Sequence, residues 1–369
     1  MKIAFLAENV QKKLSFAMHA VSSRSQLPIL TNLLLEAKKG ELIISATDLE
    51  IGIIIKTNSN VEEEGSVTVP AKTFFDLLST IGKGKVSLVS KDKNMELKTE
   101  RIKTVFQTSP TEDYPKIIEK KGALLSVVEP DIIKKDLSSV VFAASQDTGR
   151  PALSGVLMEK EGSGLVVVAT DGFRLSLKRN LKINIDNKIE KPFLIPSRVI
   201  KELISMSGEG EDIKIYTSEE SSQVIFEQKD ITLVGRLIEA DYPAYEKILP
   251  VDYSTTAVFD REEFLDAIKV CSVFARETAN IIKISIEKEK MVLSANTPSV
   301  GENSVDVSVH LSGEENEIAF NARYLLDLFS CIETNDVVFE MTGPLNPGVF
   351  KIKDDKTFLH LIMPIRVQE

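Results

Sequence analysis

Cysteine and histidine are scarce in this chain of 369 residues, with two of the first, Cys271 and Cys331, and three of the second, His19, His310 and His360. Two distant cysteines build neither a disulfide framework nor a Cys-based metal site, and they fit a reducing compartment as small, buried apolar residues. The histidines lie in different parts of the chain with no neighbouring ligand pattern, so no metal site is expected. Glycine-rich phosphate loops are missing as well. Neither G-x-x-x-x-G-K-[ST] nor G-x-G-x-x-G occurs, which removes nucleotide hydrolysis and dinucleotide binding from the candidates. No apolar run is long enough to cross a bilayer, and Met1–Leu6 leads directly into a polar helical pattern rather than a secretion signal. The expectation is a cytoplasmic protein with no cofactor and no membrane partner.

What is present has an ordinary globular composition, 43% apolar and 27% charged, at a length that suggests two to three domains. The net charge of -10 and the pI near 5.2 weigh against gripping nucleic acid by bulk charge, since phosphate contacts draw on Lys and Arg.

Self-similarity carries most of the information. Ala46-Thr47-Asp48 recurs as Ala169-Thr170-Asp171 and, more loosely, as Ala295-Asn296-Thr297, each closing a β-rich run. Val69-Pro70-Ala71, Ile195-Pro196-Ser197 and Phe320-Asn321-Ala322 keep the same period, and Asp113-Tyr114-Pro115 returns as Asp241-Tyr242-Pro243. A period of about 125 residues is too long for a solenoid unit and matches a whole small domain. Three similar tandem domains are expected, 1–122, 123–251 and 252–369, with tight junctions at Lys116–Gly122 and Ile248–Tyr253.

Each repeat reads helix, strands, helix, strands. Val10, Leu14, Ala17, Met18 and Val21 stand at helical spacing, as do Ile133, Leu137, Val140, Val141 and Ala144, and Phe264, Ile268, Cys271 and Phe274. Second helices follow the Pro or Asn marker at Phe74–Ile81, Val199–Met206 and Tyr324–Ile332. Alternation marks half-buried strands at Val305, Val307, Val309 and Leu311, at Ile213 and Ile215, and at Val224 and Phe226. The fold class is therefore α+β, antiparallel sheets with two helices per domain on their covered side.

No catalytic constellation emerges. Asp48 and Asp171 occupy matching repeat positions, where a turn aspartate accepts backbone N–H bonds. The acidic runs Glu62-Glu63-Glu64 and Glu314-Glu315-Asn316-Glu317 read as solvated loops.

In their order and spacing, Met1-Lys2-Ile3, Leu27-Pro28-Ile29-Leu30 with Asn32-Leu33-Leu34-Leu35, Ala46-Thr47-Asp48-Leu49-Glu50, Val69-Pro70-Ala71, Ala169-Thr170-Asp171-Gly172 with Arg174-Leu175, Asp241-Tyr242-Pro243 and Met363-Pro364-Ile365-Arg366 resemble one family across the whole chain. That family is the bacterial DNA polymerase III β subunit, the β sliding clamps. The resemblance implies a non-catalytic subunit, a head-to-tail homodimer of six domains in a ring, with helices lining the hole and sheets forming the outer wall. Such a ring encircles duplex DNA without reading its sequence and tethers DNA polymerases, the clamp loader and other proteins with clamp-binding motifs. An acidic outer wall with a basic inner surface removes the objection raised by net charge.

Carried over by position, the resemblance assigns DNA contact to Arg24, Lys72, Gln146, Arg150 and Arg198. It assigns a partner-peptide cleft to Leu153, Thr170, Gly172, Arg174, Leu175, Pro243, Ile248, Asn321, Tyr324, Met363, Pro364, Ile365 and Arg366. Phe173, where many members carry histidine, and Gln368-Glu369, past the point where many chains stop, depart from the pattern beside that cleft, and Lys247 stands near its rim. Two other readings remain open: a repeat scaffold that binds proteins and never DNA, and a metal-dependent enzyme acting on nucleic acid.

Overall fold

A computed structural model of the chain describes every residue except 23–26, 119, 163, 182, 184–191, 209, 219, 221, 278, 298–300 and 367–369. The described residues gather into two compact units, one from 1–131 with 201–237, the other from 132–183, 192–200 and 238–366. The middle repeat contributes to both.

In the first unit an eight-stranded antiparallel sheet runs in the order Lys121–Val128, Ile213–Ser218, Gln223–Gln228, Ile231–Arg236, Ile51–Asn58, Glu41–Thr47, Asn32–Lys38, Gly65–Pro70. Half of these strands come from the first repeat and half from the second. They join where Ile231–Gly235 pairs antiparallel with Ile51–Ile55, Leu233 opposite Ile53. A five-stranded sheet completes the unit in the order Asn60–Glu63, Lys2–Leu6, Lys85–Lys91, Asn94–Lys98, Lys103–Gln107.

The helix Ala7–Ala17 forms because Val10, Leu14 and Ala17 place one apolar stripe inward, all fully buried, while Lys12 and Ser15 face water. The helix Ala71–Ile81 buries Phe74 and Leu78, one turn apart, and full burial of each stabilises by roughly 1.5–3 kcal/mol relative to exposure. Gly82 at φ +75° ends that helix, and Gln11 Nε2 donates to the free carbonyls of Leu78 (2.6 Å) and Gly82 (2.7 Å).

The second unit repeats the plan. Its nine-stranded sheet runs Phe193–Pro196, Gly155–Glu161, Gly164–Thr170, Arg174–Leu181, Asp355–Ile362, Gly348–Ile352, Asp336–Met341, Thr255–Asp260, His310–Gly313. Second-repeat and third-repeat strands meet where Arg174–Lys178 pairs with Phe358–Ile362, Leu177 opposite Leu359. A four-stranded sheet runs Gly301–Ser308, Lys290–Thr297, Ile281–Ile286, Asn316–Asn321. The core is aromatic: Phe259, Phe264, Phe320, Phe329, Phe339 and Phe350 are buried with neighbouring ring centroids 4.4–6.2 Å apart. The helix Arg261–Ala275 starts at Asp260, whose side chain accepts from Glu263 N at 2.8 Å.

The repeat markers hold their expected places. Thr47, Thr170 and Thr297 each end a strand, and helices begin at Ala71, Ser197 and Ala322. Three expectations are corrected. The alternating run Val305–Leu311 breaks at Val309, because Gly301–Ser308 lies in the short sheet and His310–Gly313 in the long one. Ser59 makes the same sheet-to-sheet step in the first repeat. The helical pattern at 133–144 contains a π-turn, Ile133–Leu137, before the α-turn Ser138–Val141, and its helix stops short of Ala144. Finally, Cys271 is buried as expected but Cys331 is only half-buried. Burial pushes both thiols up, Cys271 to about 11, so both stay protonated and inert near neutral pH.

Candidate functional site

The site grows from the second Ala-Thr-Asp turn. Thr170, buried, donates from Oγ1 to Arg174 O (2.6 Å) and accepts from Gly172 N (3.1 Å). Asp171 Oδ1 accepts from Phe173 N (2.9 Å) and Arg174 N (3.0 Å). Gly172 adopts φ +92°, which favours glycine, and its open face lies near Arg150 and Leu153. Asp171 thus acts as the turn residue its repeat position predicts.

The turn delivers Arg174 into a buried place. Its Nε donates to Asp171 Oδ2 (3.0 Å), Nη1 to Asp327 Oδ2 (2.6 Å) and Nη2 to Phe142 O (2.9 Å). The guanidinium also lies over the Tyr324 ring at 4.6 Å. Burial, then the Asp171 carboxylate, pushes the Tyr324 phenol above its ordinary value. With every nitrogen engaged, Arg174 organises the wall and has little left for a ligand.

Behind it stands His360, fully buried. Its Nδ1 meets Ser176 Oγ at 2.6 Å, its ring lies 5.2 Å from Phe142, and its Nε2 has no hydrogen-bond partner among the described residues. Burial, then the charge of Arg174, holds the imidazole well below its ordinary pKa and therefore neutral. The tautomer with Nδ1–H donating to Ser176 leaves only a lone pair unpaired, the cheaper arrangement.

A pocket of about 500 Å³ opens beside Arg174, lined among others by Gln146, Arg150, Phe173, Arg323 and Tyr324. It brings Gln146 and Arg150, expected to touch DNA, to the same place as Arg174 and Tyr324, expected in the peptide cleft. At the adjoining sheet end Met363 N donates to Phe173 O (2.8 Å) and Ile365 N to Ala319 O (2.8 Å). Met363 (39%) and Phe173 (57%) are large apolar residues left exposed there, and Ile248 (47%) is exposed in the turn Tyr245–Ile248.

The remaining expected residues take different places. Leu175 is fully buried in a cluster with Leu361 and Tyr245, so it supports the wall from within. Asn321 caps the helix Ala322–Cys331, its side chain accepting from Arg323 N at 2.9 Å. Pro243 and Arg366 are exposed, and Leu153, Pro364 and Ile365 are half-buried. Lys72 is exposed on the helix Ala71–Ile81 of the first unit, Arg198 is half-buried on the helix Ser197–Met206, and Arg24 and Gln368-Glu369 lie outside the described residues.

Sequence reasoning missed Asp327, Phe142 and Arg323. Nothing local ties Asp327 or the Phe142 carbonyl to Arg174, whose partners there come from 153 and 32 residues away. It also missed Leu345, exposed in the loop before Gly348, whose strand pairs with Ile362 beside Met363.

Comparison with known proteins bears on this geometry. Three domain profiles of one family match in order: DNA polymerase III beta subunit, N-terminal domain over residues 1–118, central domain over 127–244 and C-terminal domain over 246–366. A beta sliding clamp of Staphylococcus aureus (strain Mu50) is 31% identical over 370 residues, covering 96% of both chains. The crystal structure of the DNA polymerase sliding clamp from Bacillus subtilis superposes with a TM-score of 0.94 at 25% identity, all of both chains covered. A sliding clamp from Pseudomonas aeruginosa, solved bound to griselimycin, gives 0.92 at 25% identity, again over the whole of both chains.

Proposed function

The chain belongs to the DNA polymerase III beta subunit family, the sliding clamps of replication, and on that premise we propose that two copies close head to tail around duplex DNA. It is a non-catalytic subunit, a processivity factor. The ring retains polymerase on its template by topology, and the division into domains 1–122, 123–251 and 252–369 supplies six domains per dimer. Two edge strands support closure. The edge strand Lys103–Gln107 carries exposed Val105 beside exposed Arg101, while the edge strand Gly301–Ser308 carries exposed Glu302. Unlike charges on two unpaired edges favour a heterologous contact between copies.

One observation carries the tethering half: the pocket beside Arg174 with exposed Phe173 in its lining and exposed Met363 bonded to Phe173 through the backbone. Apolar anchors beside few, fixed polar groups suit a short extended peptide from a polymerase, a clamp loader or another clamp-binding protein. The bound griselimycin in the Pseudomonas relative is consistent with a ligand-accepting clamp surface. Arg24, Lys72, Gln146, Arg150 and Arg198 are proposed to touch phosphates. Cytoplasmic residence accords with that role in a bacterial cell, and among the described residues no helix is long and apolar enough to cross a membrane.

The test is primer extension on a circular single-primed template by a polymerase bearing a clamp-binding peptide. Met363→Ala should shorten products and weaken peptide binding while leaving dimer mass unchanged. Met363 is the residue to change, because truncating fully buried Leu175 would cost about 2–5 kcal/mol of stability and blur the result. Full-length products with the variant would remove the cleft from the tethering role.

A further inference from the structure

The helices Arg261–Ala275 and Ala322–Cys331 pack together, and beside them opens a second pocket of about 340 Å³. Ser272, Arg276, Asn280, Arg323, Leu326 and Asp327 line it. Backbone bonds tie its two sides: Asn280 N donates to Ala275 O (2.9 Å), and Asn280 O accepts from Ala322 N (2.7 Å). Ser272 Oγ turns back to Lys269 O (2.7 Å). What faces the opening is therefore mainly charge. Arg276 and Arg323 are both exposed, and among the described residues neither has a carboxylate within ion-pair distance. Asp327, the carboxylate in the pocket, is already held by Arg174 at 2.6 Å.

The larger pocket differs. There Arg150, Arg174 and Arg323 stand against Asp147, Asp171 and Asp327, so formal charges balance. Arg323 lines both pockets, and among the described residues the smaller one sets two guanidinium groups, Arg276 and Arg323, against the single carboxylate of Asp327. Planar, permanently charged forks suit phosphate oxygens. Among the described residues the single large apolar side chain there is Leu326, itself half-buried, a poor anchor for a peptide.

We propose that Arg276 and Arg323 seat a backbone phosphodiester of duplex DNA, extending the contacts of Gln146 and Arg150 onto the third repeat. The inference rests on the DNA-encircling reading above.

The experiment measures affinity of the full-length protein for a labelled short duplex across a salt series, on samples matched for dimer mass. Wild type is compared with Arg276→Ala/Arg323→Ala and with Arg276→Lys/Arg323→Lys. Each lost phosphate contact lowers the slope of log K against log salt by about 0.9, so the alanine pair, losing one phosphodiester, should flatten it by about 0.9, with the lysine pair near wild type. An alanine pair with the wild-type slope overturns the inference and leaves the DNA reading intact. If that pair keeps its DNA slope but loses affinity for an acidic clamp-binding peptide, the arginines belong to the cleft. A wild-type protein with no salt-dependent duplex binding overturns the DNA reading and this inference together.

Discussion

The turns at Thr47–Ile51 and Thr170–Arg174 share one hydrogen-bond set and deliver opposite kinds of residue. In the first, Thr47 Oγ1 donates to Ile51 O (2.8 Å) and accepts from Leu49 N (3.0 Å), and Asp48 Oδ1 accepts from Glu50 N (3.1 Å) and Ile51 N (2.9 Å). The second repeats these bonds with Arg174 where the first has Ile51. Ile51 needs only burial. Arg174 needs Asp171, Asp327 and the Phe142 carbonyl, and satisfying it draws a helix and a loop into one site. The lesson is that a repeated scaffold turn gains a binding role when its last position demands polar partners.

Arg174→Ala should have the greatest effect. It strands Asp171 and the Phe142 carbonyl, and urea unfolding should show a loss of about 3 kcal/mol, the low end for a broken buried pair because Asp327 is half-exposed. Rescue of peptide binding by this variant at full stability would contradict the organising role.

His360 sharpens the contrast through pH, since no buried histidine stands behind the first turn. Its folded pKa lies below the unfolded value near 6.5, so the unfolded chain takes up the proton first. Its effect on stability is absent well above pH 6.5 and grows as pH falls through that value. Stability should therefore drop between pH 7.5 and pH 5 by a component that His360→Gln abolishes. An equal drop in the variant would assign the effect to other groups.

The smallest effect concerns the left-handed position of each turn, Leu49 at φ +79° and Gly172 at φ +92°. Gly172→Ala should cost about 1 kcal/mol from backbone strain, since its added Cβ meets nothing closer than 3.8 Å. Leu49→Gly should change stability by less than about 1 kcal/mol, because relieved strain and added chain entropy offset each other. Thermal melts of both would reveal any hidden packing role.

These turns also mark how far the sequence was legible. Threonine and aspartate at matching positions of a repeat disclose the turn, because the bonds involved are local. The helix Ala71–Ile81 was legible from Phe74 onward, from period and marker alone. The pairing of 51–55 with 231–235, and of 174–178 with 358–362, was not, because antiparallel pairing over such separations leaves no local pattern. The π-turn at 133–137 escaped for a related reason, since a single wider turn hardly shifts the apolar spacing. In the site, Arg174 and Met363 were found by resemblance, whereas Asp327, Arg323 and His360 needed the fold.

Retention by encirclement is measured on nicked circular DNA, after loading by the cognate loader, before and after the circle is cut. Release on linearisation is expected, because a topological link is lost at free ends while direct contacts survive cutting. Equal retention on circle and linear form, with or without loader, would contradict it and favour conventional DNA binding or a protein scaffold.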